Sequence, residues 1–210
     1  MAETQEAATL TREYRAAQIA VRADALRRVV RLWAGLDASA LSSTVEFFSS
    51  AVAAIAVNLG RRGADDTVRY LTRFRDAEGV PGRVRFRAAS PLDVDQAAGL
   101  IRGAVITGVV NARRRGSDLA RAKDNALVKV AGEVGKLVLS GGRRTVIRGM
   151  HDDPQVRGFD RVTSGSPCAF CLMLASRGPV YKTQRSAEFP AHGHCACTGE
   201  LLYERPGRNS

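Results

Sequence analysis

Every cysteine of this chain falls in a thirty-residue block near the C-terminus, as Cys168-x-x-Cys171 and then Cys195-x-Cys197. His192 and His194 stand just ahead of the second pair, and the 167 residues before the block contain no cysteine. Two closely spaced thiol pairs joined by a loop are what a tetrahedral metal site requires: each pair turns its sulfurs toward one point, and the loop returns the second pair to complete the shell. The donor set points to structural zinc. Cys168, Cys171 and Cys195 are the expected ligands, with Cys197 and His192 competing for the fourth position. A redox dithiol at Cys168–Cys171 is the next reading, since Cys171-Leu172-Met173-Leu174 can open a helix, but it leaves the second pair without a role. Pro167-Cys168-x-x-Cys171 also echoes the zinc deaminases. Those enzymes need an upstream His-x-Glu, and the only upstream histidine, His151, is followed by Asp152-Asp153. No catalytic residue is assigned.

The rest of the chain reads as helix. Over residues 9–35, Leu10, Tyr14, Ala17, Val21, Ala25, Val29 and Trp33 recur at steps of three and four after a capping Thr9. A second helix is expected over 39–59, apolar nearly all round in its second half and broken by Gly60 to Gly63. A short third helix then follows Asp65 or Asp66. Arg83-Val84-Arg85-Phe86-Arg87 alternates like a short strand or an extended arm. Ser90-Pro91 looks like a helix start, leading to a helix as far as Arg114. Gly116-Ser117-Asp118 caps another helix over 118–139, which Gly141-Gly142 ends. Beyond residue 150 the texture shifts to glycine, proline and short apolar runs. The fold class expected is α+β: a mainly α-helical body with a small C-terminal zinc-stabilised α+β unit. Three segments are drawn: 1–88, 89–149 and 150–210.

A chain of 210 residues buries about 70% of its unfolded surface, so a zinc site would organise a local unit rather than rescue the whole fold. The apolar stretch 49–60 is too short to span a membrane, and the N-terminus lacks a signal-peptide layout. No membrane partner is expected, and the setting is a reducing cytoplasm in which paired thiols favour metal over disulfide. The net charge of +11 is uneven: +4 over 1–90, +6 over 91–150 and +1 over 151–210. Of the 32 basic residues 28 are arginine, whose forked guanidinium suits phosphate. A GC-rich genome enriches arginine in the same way. The clusters Arg113, Arg114, Arg115 and Arg143, Arg144 are the candidate contacts for double-stranded DNA.

The run Gly158-Phe159-Asp160-Arg161-Val162, the pair Cys168 and Cys171, the Arg177-Gly178 turn, and His192-Gly193-His194-Cys195-Ala196-Cys197 together resemble the C-terminal signature of MuF-like minor head proteins of tailed bacteriophages. The version found in actinobacterial phages and prophages is the most similar. The resemblance covers about 140–203. It implies a minor capsid protein of the virion head, present in the host cytoplasm during assembly. The implied partners are the portal and the major capsid protein, and some members of the family contact DNA. Ala196 departs from the pattern, since relatives often carry a basic residue there. The alternative is a zinc-dependent hydrolase of the phage head, a maturation protease or nuclease. That chemistry requires an open metal position and a nearby base. A host-encoded DNA-binding protein is a third reading.

Overall fold

The computed structural model describes residues 2–163, 165, 167–178 and 193–203. Four long helices precede a small mixed unit: α1 (Gln5–Trp33), α2 (Leu41–Ala77), α3 (Val94–Arg114), α4 (Leu119–Asp152), β1 (Val156–Val162), α5 (Ala169–Ser176) and β2 (Thr198–Tyr203). The expected α+β class, a helical body with a small C-terminal α+β unit, is what the chain adopts.

Helix ends follow their caps. Thr4 rather than Thr9 caps α1, its hydroxyl accepting the Ala7 N–H at 3.0 Å. Asp93 rather than Ser90 caps α3, accepting from the N–H groups of Asp95 and Gln96. Asp118 caps α4. A carboxylate there also meets the positive end of the helix dipole.

Two glycine pairs expected to break helices lie inside them. α2 runs unbroken for 37 residues through Gly60 and Gly63, and α4 for 34 residues through Gly141 and Gly142. These are the points where helices touch. A Cβ on Gly141 would overlap the Gly60 carbonyl oxygen. One on Gly142 would sit 2.9 Å from the Gln18 side-chain oxygen, 3.0 Å from the Thr67 hydroxyl and 3.0 Å from the Tyr14 hydroxyl. Glycine costs about 1 kcal/mol of helix propensity, and close packing of two helices on a third outweighs it here.

Two cores result. The first joins Ala25, Val29 and Trp33 of α1, the first half of α2, the buried face of α3 and α4 as far as Val138. The second joins Leu10 and Tyr14 of α1, Tyr70, Leu71 and Phe74 of α2, Val146 and Met150 of α4, and Phe159 and Leu201 of the sheet. β1 and β2 are antiparallel, with Phe159 opposite Leu201. α2 is long and apolar enough, by length and composition, to cross a membrane. In the fold its apolar residues Val45, Phe48, Val52, Ala53 and Ala56 fill the first core.

Residues 83–89 form an arm along α4 rather than a strand. Phe86 plugs the second core, Arg87 pairs with Asp152 at 2.7 Å, and the Ala89 N–H donates to the Thr145 hydroxyl. Buried Arg75 anchors the preceding turn. It pairs with Asp153 at 2.8 Å and donates to the carbonyls of Val80, Pro81 and Gly82. A short polar chain ties the sheet to the helices: the Thr11 hydroxyl donates to Glu200 at 2.7 Å and bonds the Tyr70 hydroxyl at 2.9 Å.

Candidate metal centre

Strand β1 delivers the chain to Cys168, which caps α5. Its sulfur accepts the Cys171 N–H at 3.4 Å, and the Leu172 N–H donates to its carbonyl at 3.0 Å. This places Cys171 in the first turn of α5, buried. The second pair arrives just before β2, and both Cys195 and Cys197 are buried. Among the described residues, the sulfurs of Cys171, Cys195 and Cys197 all lie within 4.8 Å of one another, and the first two are 3.5 Å apart. A tetrahedral zinc with Zn–S bonds of about 2.3 Å sets its sulfurs about 3.8 Å apart. The three thiols are therefore spaced to hold a metal ion.

Helix α4 positions the second pair. Arg143, only 5% exposed, donates from Nε to the Cys197 carbonyl at 3.1 Å and from Nη2 to the Cys195 carbonyl at 2.8 Å. The same Nη2 lies 3.5 Å from the Cys195 sulfur. Three turns earlier on α4, Gly132 leaves room for the turn carrying Gly193 and His194: a Cβ there would stand 3.1 Å from His194 Nε2 and 3.3 Å from Gly193 Cα. His194 has a positive φ of 67°, a conformation few non-glycine residues adopt. It lets the chain turn sharply into the cysteine pair.

The thiols are electrostatically unlike. Hydrogen bonding from Cys197, helped by the Arg143 charge, pulls Cys195 down to about 4 despite burial. Burial pushes Cys171 up to about 11. The Cys197 hydrogen bond and the Arg143 charge favour the thiolate form of Cys195, the form in which a cysteine binds metal.

Of the expected ligands, the structure brings Cys171, Cys195 and Cys197 together. Cys168 stands at the edge, exposed, and in hydrogen-bonding range of Cys171. His192, the competitor of Cys197, lies outside the described residues, as does the Pro179-Val180-Tyr181 part of the family signature. Arg143 is not at the surface expected of a DNA contact: it is buried and spent on the two cysteine carbonyls. Arg144 is half-buried, whereas Arg113, Arg114 and Arg115 are exposed at the end of α3. The positioning roles of Gly132 and Arg143 are absent from the sequence reading. Their signal there is a spacing of three helical turns, which puts both on one face of α4.

A family profile described as VG15 protein matches residues 5–205, from the first turn of α1 to just past β2. The chain belongs to the VG15 protein family. The VG15 match takes in the five helices and two strands of the described residues and the four cysteines together. The chain is also 39% identical over 72 residues to the "Gene 15 protein" of Mycobacterium phage D29. That stretch is 32% of this chain and 26% of the phage protein, so the alignment spans about a quarter of the relative's length. No solved structure matches.

Proposed function

We propose that this VG15 family protein is a structural component of a tailed-phage virion: a minor head protein of MuF-like type that works beside the portal. Its C-terminal unit is closed by zinc through Cys171, Cys195 and Cys197, with Cys168 as fourth ligand. The observation that carries this reading is the three-sulfur cluster, built from two distant segments and braced by Arg143, in a family with a relative in phage D29. Four thiolates and no open position make a structural zinc site, in which metal-binding energy becomes folding energy for a loop-rich segment. Hydrolysis needs an open metal position and a general base. Arg143 donates to the Cys195 and Cys197 carbonyls and stands 3.5 Å from the Cys195 sulfur, an arrangement that suits bracing.

In this reading the helical body meets the portal or the major capsid protein, and the exposed Arg114 and Arg115 lie toward packaged DNA. The protein is made in the host cytoplasm and ends in the head. The test is mass spectrometry of purified particles, separated into heads and tails, from a phage or prophage encoding the chain, together with chemical cross-linking. The expected result is the protein in heads at low copy, cross-linked to the portal. Its absence from particles would overturn the assignment.

A further inference from the structure

One face of α3 is left uncovered by the fold. Gly99, Gly103, Ile106 and Val110 follow at steps of four, three and four, and so share one side of the helix. Leu100 at its edge is 50% exposed, Ile106 38% and Val110 37%. Among the described residues, nothing lies within 4 Å of a Cβ built on Gly99 or Gly103. The flanks of the face are closed. On one side Arg102 pairs with Glu46 of α2 at 2.8 Å, and on the other Lys129 of α4 donates to Thr107.

The ends of the face carry opposite charge. Asp95 precedes Gly99 by one turn and Arg113 follows Val110 by one turn. The two are about five turns and about 27 Å apart, at the same angular position as the apolar residues between them. Both are exposed. Arg113 also donates to the Ser117 carbonyl at 2.9 Å, which holds its guanidinium at the helix end. An apolar strip capped by an acid at one end and a base at the other complements itself when turned end for end.

We propose that α3 is a two-fold interface, on which α3 of a second copy of this chain packs antiparallel. Centred at the level of Ala104, midway between residues 95 and 113, the pairing sets Asp95 of each copy against Arg113 of the other, twice by symmetry. A parallel pairing would oppose Asp95 to Asp95 and Arg113 to Arg113, so the charges select the antiparallel one. Gly103 falls at the crossing point, where a missing side chain lets two helix backbones approach closely. Ile106 and Val110 of each copy flank it. This pairing is independent of the virion reading and stands or fails without it.

The experiment is sedimentation equilibrium of the full chain between about 1 and 100 μM, a range that brackets ordinary non-obligate dimers. A monomer–dimer equilibrium is expected. Ile106→Glu, which places charge in the strip, should leave only monomer while helix content stays unchanged. Asp95→Arg or Arg113→Asp alone should weaken the dimer about tenfold, since each reverses two symmetry-related pairs. The double variant, with the charges exchanged, should return to within about threefold of the original. Oxidation of Gly103→Cys should link two copies across the axis. A chain that stays monomeric throughout, a dimer indifferent to Ile106→Glu, or a double variant as weak as the single ones would each overturn the proposal.

Discussion

At the scale of single residues, Arg143 contributes most to the candidate site. Its buried guanidinium satisfies two carbonyls of the cysteine pair and lies against the Cys195 sulfur. Charge-assisted hydrogen bonds of this kind contribute about 1.5–3 kcal/mol each. Arg143→Met is therefore expected to destabilise the protein by about 2–4 kcal/mol in urea unfolding and to weaken metal retention. Arg143→Lys should recover little, because an ammonium cannot fork to both carbonyls. The thiols make a second prediction. Cys195 titrates near 4 and is already a thiolate at neutral pH, while Cys171, near 11, still holds its proton. Metal binding must displace that proton, so zinc affinity should tighten as pH rises from neutrality toward the Cys171 value. Calorimetry in buffers of different ionisation heat at neutral pH should count fewer protons released per zinc than there are thiolate ligands. A count of four would contradict the assignment. The cysteine cluster was legible because the spacing of the two pairs alone brings thiols together, as it does Cys171, Cys195 and Cys197. Arg143 was not, because beside Arg144 it reads as part of a basic patch. Only the packing of α4 decides which of the two turns inward.

At the scale of elements, the α2–α4 crossing is the closest approach at any described glycine. Gly141→Ala would drive a methyl into the Gly60 carbonyl, a backbone clash that rotamer changes cannot relieve. It should cost about 1–3 kcal/mol or more. Gly99→Ala, on the open face of α3, should instead stabilise the fold by about 0.5–1 kcal/mol through helix propensity. Urea unfolding of both variants measures the contrast, and equal effects would refute it. The helix stripes and the Asp118 cap were legible because periodicity and capping chemistry are local. The true ends of α2 and α4 were not: glycine reads as a breaker in sequence, and only the presence of a second helix shows it to be a point of close packing. The arm over residues 83–89 was ambiguous for the same reason, since alternation does not reveal that Phe86 is buried against α4 rather than paired in a sheet.

For the whole molecule, α1, α2 and α4 each serve both cores, while the sheet adds Phe159 and Leu201 to the second alone. If the cysteines hold a metal, stripping it should therefore expose the chain around Cys171, Cys195 and Cys197 to protease first and leave the first core, which among the described residues reaches no further than Val138, protected. Surface charge belongs to this scale too. If Arg114 and Arg115 meet DNA, replacing both with alanine should weaken binding across sequences and lower the salt slope by about one for each phosphate no longer neutralised. Arg113 is left out of that variant because it is assigned to the α3 pairing. In the proposed reading the four thiols hold one ion that closes the C-terminal unit. The direct measurement is native mass spectrometry of the full chain, purified without chelator, with alkylation of its cysteines before and after metal removal. The account predicts one zinc per chain and four reduced cysteines that become alkylated only once the metal is removed. A metal-free chain with freely alkylated thiols, or a disulfide between the two pairs, would contradict it.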